Sequence, residues 1–124
     1  MFLLDSTTII ELLDGTPIGV KIQEQLQERS IATTALSVHE ILRTVNEQSR
    51  IQALNFFEQI PIYAFTRKSA EKSAPLENHL KTTGTMINKI DILIAAICQE
   101  LNATLITLDR DFTRVQNLRV FFPA

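Results

Sequence analysis

Short apolar runs along the chain alternate with longer segments in which apolar residues recur every three or four positions. The short runs are typical of buried strands, and the longer segments are typical of amphipathic helices that cover them. The predicted strands are residues 2–4, 31–34, 61–65, 104–107 and 118–122, the last of them at an edge. The predicted helices are residues 8–13, 17–29, 37–48, 50–59, 67–81 and 90–101. Pro75 lies inside the fifth helix and predicts a kink or a break there.

Strands that alternate with helices predict an α/β sandwich around a mostly parallel sheet of four to five strands. The chain has 124 residues, which suits a single domain spanning residues 1–124. Right-handed crossovers place the carboxyl ends of parallel strands at one edge, and ligands bind at that edge. Residues that follow a strand are therefore the first candidates for a functional site.

Acidic residues occupy several of these positions. Asp5 directly follows the first strand and Asp109 follows the fourth, while Glu40 and Asp91 lie in the helices after the second strand and before the fourth. Each acid alone has a structural interpretation, because Asp caps helices and turns and Glu is common on solvated helix faces. Asp109 with Asp111 also resembles an ordinary acidic turn. Together, however, the four principal acids are predicted to converge in space.

Convergent carboxylates repel one another and need cations, and their hard oxygen atoms suit Mg²⁺ or Mn²⁺. Two such ions about 4 Å apart activate water and stabilise the leaving oxygen of a phosphodiester.

Other chemistries fit less well. His39-Glu40 begins like a zinc-protease motif, but Arg43 stands where the second histidine is needed. Three glycines are too few for a P-loop or a dinucleotide fingerprint.

The overall charge and composition add constraints. The net charge of -2 argues against a generally basic nucleic-acid-binding surface, although four acids used as metal ligands would leave the remaining surface less acidic. The single cysteine, Cys98, excludes an intramolecular disulfide and reads as a buried core residue. The longest apolar stretch, residues 92–98, is far shorter than the roughly 20 residues that span a bilayer. We therefore expect a cytoplasmic protein with no membrane contact.

Four segments carry a resemblance to a known family. They are LLDSTTII at 3–10, SVHEIL at 37–42, IDILIAA at 90–96 and ATLITLDRDF at 103–112. In this order they resemble the PIN-domain family, and within it the VapC-like toxins of toxin–antitoxin pairs. The resemblance spans nearly the whole chain and implies a PIN-like three-layer sandwich.

The resemblance also implies a function and a site. The function is a metal-dependent endoribonuclease that cleaves RNA with Mg²⁺ or Mn²⁺. Asp5, Asp91, Asp109 and Glu40 would be both the catalytic residues and the metal ligands, with Glu40 orienting water or helping to bind metal. Asp111 either shares that role or caps the turn, and Thr107 supports the site through its hydroxyl.

The partners implied by the resemblance are RNA, a second copy of the chain in a homodimer, and a cognate antitoxin. Four apolar residues either form a groove for the antitoxin or pack in the core: Ile41, Leu42, Phe56 and Phe57. A set of basic residues forms either a rim for phosphates or a solvated helix face: Arg67, Lys68, Lys72, Lys81 and Lys89.

Two positions depart from the family pattern. Thr7 stands where the family commonly has Asn, and Lys89 with Ile90 occupies a stretch that often holds a second acid. These departures support an alternative hypothesis, a PIN-like protein-binding module that has lost catalysis. Retention of the four principal acids favours the active nuclease.

Overall fold

A five-stranded parallel sheet forms the centre of the fold in the computed structural model, which describes residues 1–123. The strands are β1 (Phe2–Leu4), β2 (Ile31–Thr34), β3 (Ile62–Tyr63), β4 (Thr104–Ile106) and β5 (Val120–Phe121), and their order is β3-β2-β1-β4-β5. Every neighbouring pair runs parallel. The predicted domain also includes Ala124, which lies outside the described residues.

Helices connect the strands and cover both faces of the sheet. They are α1 (Ser6–Asp14), α2 (Pro17–Leu26), α3 (Ala35–Leu42), α4 (Glu47–Phe57), α5 (Arg67–Thr82) and α6 (Lys89–Glu100). A short 3₁₀ helix, Arg110–Arg114, lies between β4 and β5.

Successive residues of the central strands point to opposite faces and belong to two separate cores. Leu3 and Leu105 pack in one cluster with α5 and α6, whereas Leu4 and Ile106 pack in the other with helices α1 to α4. This period of two is what a strand buried on both faces requires. The predicted three-layer α/β sandwich is therefore confirmed.

The division between α3 and α4 differs from the prediction. The predicted helices were 37–48 and 50–59, but the chain leaves the helix after Leu42 and starts the next at Glu47. Local hydrogen bonds explain the shift, because Thr34 accepts from the Ser37 backbone N–H and Asn46 accepts from the Ser49 backbone N–H. Both are favourable N-cap contacts that set where a helix begins.

Pro75 does not break α5, so a break at this residue was a wrong prediction. The helix runs from Arg67 to Thr82 through the proline. A proline removes one backbone donor, and other interactions outweigh that loss. A capping box between Thr66 and Ser69 fixes the start of the helix, and Leu80 is buried in the core beneath it.

Helix α6 is a core helix, because six of its residues are buried. Cys98 is buried there, its thiol donates to the Ala103 carbonyl at 3.4 Å, and burial raises the thiol pKa to about 12. This agrees with the predicted core role of Cys98. Of the helices in residues 1–123, none has both the length and the apolar character needed to cross a membrane.

The order of the strands reverses at β1. The chain first moves outward from β1 to β2 and β3, and it then returns to the opposite side of β1 as β4. The carboxyl ends of β1 and β4 are therefore neighbours at the switch point, where open α/β sheets bind ligands. Asp5 and Asp109 follow these two strands.

Candidate active site

Asp5 ends β1 and is at the same time the N-cap of α1. Its carboxylate is 2% exposed and accepts hydrogen bonds from the Thr8 backbone N–H at 3.1 Å, the Thr7 hydroxyl at 2.7 Å and the Thr107 hydroxyl at 2.5 Å. Burial raises the pKa of Asp5, and these hydrogen bonds partly offset the rise. Asp5 therefore has the predicted capping role. Only its contact with the Thr8 backbone N–H belongs to that role, and the contacts with Thr7 and Thr107 are additional.

Glu40 lies in α3 and is oriented by a residue of α1. The Ser6 hydroxyl donates to Glu40 Oε1 at 3.2 Å, and the side chain is half-buried. Glu40 therefore faces the start of α1, where Asp5 lies. A glutamate on a freely solvated helix face would have no such partner.

Asp109 and Asp111 have different surroundings in the turn after β4. Asp109 caps the 3₁₀ helix by accepting from the Asp111 backbone N–H at 2.9 Å. The Asp111 carboxylate lies 3.9 Å from Arg114 Nη2, which partly balances its charge. Asp109 has no such cationic partner among residues 1–123. The negative charge of Asp109 is therefore less balanced by cationic side chains than that of Asp111.

Asp91 lies half-buried in the first turn of α6, and the charges of the other acids affect its pKa. Its pKa is raised to about 7, first by burial and then by the negative charges of Glu40, Asp109, Asp5 and Asp111. This electrostatic coupling shows that the fold brings the four principal acids into one region. They come from the N-terminus of α1, from α3, from α6 and from the turn after β4.

The chemistry of this region suits a hard divalent cation. All of its charged donors are carboxylate oxygens, and within residues 1–123 none of the four principal acids forms an ion pair with Lys, Arg or His. As placed in the described residues, no three His, Cys, Asp or Glu side chains are close enough to hold one metal ion. Like charges favour such separation when no cation offsets their repulsion.

Comparison with protein families identifies the fold independently. The model of the PIN domain matches residues 2–118. The chain belongs to the PIN domain family. Comparison with curated proteins found no match.

Solved structures resemble this PIN domain over nearly its whole length. A chain of VapBC2 from Rickettsia felis, bound to a promoter DNA fragment, is 22% identical with a TM-score of 0.86, covering 98% of this chain and 97% of that chain. FitAcB from Neisseria gonorrhoeae is 25% identical with a TM-score of 0.82, covering 99% and 98%. VapC20 from Mycobacterium tuberculosis, a sarcin–ricin loop cleaving toxin, is 12% identical with a TM-score of 0.73, covering 96% and 99%.

Several hydroxyl groups of the PIN domain contact the acids without having been predicted to do so. Ser6 contacts Glu40, while Thr7 and Thr8 contact Asp5. The sequence Asp5-Ser6-Thr7-Thr8 reads as ordinary helix-start chemistry, because Ser and Thr are frequent there. Only the three-dimensional structure shows that these side chains reach the site acids.

The basic residues singled out in the sequence do not surround the acids as a group. Arg67 pairs with Glu71 at 3.2 Å and Lys81 with Glu77 at 3.1 Å, both along the exposed face of α5. These are i,i+4 pairs on a solvated helix. The structure therefore favours the helix-face interpretation for the basic residues of α5, whereas Lys89 lies in the first turn of α6 with Asp91.

The apolar residues proposed for a groove divide between core and surface. Ile41 and Phe57 belong to the core of the PIN domain. Phe56 is half-buried and lines an apolar groove of about 350 Å³ that also contains Leu12, Leu13, Leu26 and Ile31.

Proposed function

We propose that this PIN domain is a metal-dependent endoribonuclease, with residues 1–124 acting as one catalytic domain. One observation carries the proposal. The negative charges of four other carboxylates raise the pKa of Asp91, and the four principal acids have no cationic side chain paired with them in residues 1–123. Such an excess of negative charge at the switch point of a parallel sheet favours Mg²⁺ or Mn²⁺ as its counter-ion.

The side chains then have distinct roles. Asp5, Asp91 and Asp109 hold cations directly or through water, and Glu40, held by the Ser6 hydroxyl, orients water or adds a ligand. Ions of this kind, when bound, activate water and offset the charge that develops on a phosphodiester. The hydrogen bonds to Asp5 keep its carboxylate in one orientation before any substrate arrives.

We further propose that the protein is the toxin of a toxin–antitoxin pair. Membership of the PIN domain family and the similarity to VapBC chains support this proposal, as does the similarity to VapC20, a sarcin–ricin loop cleaving toxin. A cognate antitoxin, a homodimer and a cytoplasmic location belong to the same proposal.

The antitoxin would bind the apolar groove between α1, α2 and α4. Leu12, Leu13, Leu26, Ile31 and Phe56 line the groove and give it a mainly apolar surface. An open apolar groove suits the apolar face of an amphipathic helix. Helix α1 forms one wall of the groove, and the first residues of the same helix contact the site acids. An antitoxin segment bound in the groove would therefore contact a helix that supports the site.

Purified protein without antitoxin should cleave RNA only with added Mn²⁺ or Mg²⁺. Total RNA is incubated with the wild-type protein, with Asp91→Asn and with Asp14→Asn, in EDTA or in either metal. Asp91→Asn keeps the size of the side chain and should abolish discrete cleavage products. Asp14→Asn changes an exposed acid outside the site and should retain cleavage.

Intact RNA in every condition, from a folded wild-type protein that binds neither metal, would overturn the nuclease proposal. The conclusion would then be the alternative, a PIN-like protein-binding module without catalysis. Cleavage that persists in Asp91→Asn would instead contradict the assigned site, or reveal a contaminating nuclease.

A further inference from the structure

Thr7 joins Asp5 to the backbone that follows β4. Its hydroxyl lies 2.7 Å from Asp5 Oδ1 and 3.1 Å from the Leu108 backbone nitrogen. Thr7 belongs to the first turn of α1, so this contact connects residues that are 101 positions apart in the sequence. It therefore fixes the start of α1 against the turn that carries Asp109.

The direction of the hydrogen bonds follows from the atoms involved. The Leu108 backbone N–H can only donate, so the Thr7 hydroxyl oxygen accepts from it. The Thr7 hydroxyl then donates its single proton to the Asp5 carboxylate. Thr107 repeats the arrangement, since its hydroxyl accepts from the Asp109 N–H at 3.0 Å and donates to Asp5 Oδ2. Two hydroxyls thus link both oxygens of Asp5 to consecutive backbone amides.

The Thr7 hydroxyl is not needed to cap its own helix. Asp5 already accepts from the Thr8 backbone N–H, which is the usual role of an N-cap. Thr7 is half-buried at the edge of the site, whereas Thr107 is fully buried in β4. Removing the Thr7 hydroxyl should therefore disturb the site more than it disturbs the core.

We propose that Thr7 is a positioning residue that sets the separation of Asp5 and Asp109 for a divalent cation. The proposal rests on the proposed function and deepens it. In this chain, a hydroxyl that donates to one ligand and accepts from the backbone beside the other performs the positioning.

The test compares Thr7→Val, which keeps the shape and removes the hydroxyl, with Thr7→Ser, which keeps the hydroxyl. Thr82→Val is the matched control, because the exposed Thr82 hydroxyl donates only to the Asn78 carbonyl in α5. Mn²⁺ affinity is measured by electron paramagnetic resonance, thermal stability by calorimetry, and hydrogen exchange of the Leu108 amide by NMR in the metal-free protein.

Thr7→Val should weaken Mn²⁺ binding roughly tenfold, the usual effect of losing one hydrogen bond to a charged group. It should also speed exchange of the Leu108 amide, while its melting temperature stays close to that of Thr82→Val. Thr7→Ser should restore both the affinity and the exchange protection.

Wild-type Mn²⁺ affinity in Thr7→Val would overturn the positioning role and leave the proposed nuclease intact. Failure of Thr7→Ser to restore the affinity would also overturn it, because the methyl group would then be responsible. A wild-type protein that binds no Mn²⁺ and cleaves no RNA would overturn the proposed function, and with it any role for Thr7 toward a cation.

Discussion

At the scale of single residues, four of the five clustered acids have a fixed partner and Asp91 has none. Asp5 is held by threonine hydroxyls, Glu40 by Ser6, Asp109 by the Asp111 backbone N–H, and Asp111 lies near an arginine. Within residues 1–123 the Asp91 carboxylate accepts no hydrogen bond and forms no ion pair. In the proposed site, the charge of Asp91 would therefore depend on a bound cation more than the charges of the other acids would.

Asp5 is a less suitable test residue for the same reason. Truncating it would remove the N-cap of α1, which costs about 1 kcal/mol, and would leave the buried Thr8 and Thr107 side chains with fewer partners. Lost activity in such a variant would not separate catalysis from folding. Substitution of Asp91 leaves no hydrogen-bond partner unsatisfied in the described residues.

The pKa of Asp91 predicts how the stability of the metal-free protein depends on pH. The folded protein holds a proton at Asp91 up to about pH 7, whereas the unfolded chain releases it near the ordinary pKa of 3.8. Because the folded state binds more protons in this window, the free energy of unfolding falls as pH rises from about 4 to about 7. Urea denaturation in EDTA across this range should show the fall.

Asp91→Asn provides the control for this prediction. The amide cannot ionise, so the variant should lose stability less steeply between these pH values and should exceed the wild type in stability above pH 7. Asp5 is shifted in the same direction by burial, so part of the slope should remain. Identical slopes for the two proteins would show that Asp91 does not carry the predicted penalty.

At the scale of elements, helices α1 and α2 form a close hairpin that positions Asp5, Ser6 and Thr7. Gly19 makes the close approach of the two helices feasible, because a Cβ at this position would lie 2.0 Å from the Glu11 carbonyl oxygen. That distance is far inside van der Waals contact, and the obstructing atom is backbone. The helices must separate before any side chain fits at this position.

Gly19→Ala should therefore destabilise the protein even though alanine is the better helix former. We expect the free energy of unfolding to fall by about 1–3 kcal/mol, the range for overpacked cores. Chemical denaturation measures the change. Val20→Ala is the control in the same helix, since Val20 is 48% exposed and its truncation should change stability by less than about 0.5 kcal/mol. An unchanged or higher stability of Gly19→Ala would contradict the close packing.

The sequence predicted the type and order of the elements better than their ends. Periodic apolar positions indicate which segments are helices, but Val45 continues the period of α3 past the point where the helix stops. The cap at Asn46 decides the boundary through one local hydrogen bond. Pro75 predicted a break that the structure does not have, because a capping box and a buried face keep α5 continuous through it.

At the scale of the whole molecule, the site brings together acids from parts of the chain that are far apart in sequence. Its acids lie at the N-cap of α1, in α3, in α6 and in the turn after β4, while the net charge of the chain is only -2. The negative charge is thus concentrated at one edge. A cation bound as proposed would connect these elements and would bind the folded state alone.

Divalent metal should consequently stabilise the fold by mass action. At Mn²⁺ concentrations 100 times the dissociation constant, the free energy of unfolding should rise by about 2.7 kcal/mol. Asp91→Asn should lose most of this gain, and EDTA should reverse it in the wild type. Differential scanning calorimetry at several Mn²⁺ concentrations measures it. An equal shift in both proteins would indicate binding away from the proposed site.

The positions of the acids were predictable, whereas their supporting contacts were not. Parallel strands end at a common edge, so acids that follow β1 and β4 are expected to meet. The hydroxyls of Thr7 and Thr107 lie 100 residues apart, and no local pattern indicates that both contact Asp5. Such contacts depend on side-chain directions that only the folded chain determines.

The central position of β1 also sets when the site is completed during synthesis. Asp5 leaves the ribosome before Thr107 and Asp109, which are added more than 100 residues later. Before then β1 has β2 beside it but no β4, and Asp5 lacks one of its two bridging hydroxyls. A nascent or truncated chain therefore carries every element of the fold up to α6 without a complete set of acids.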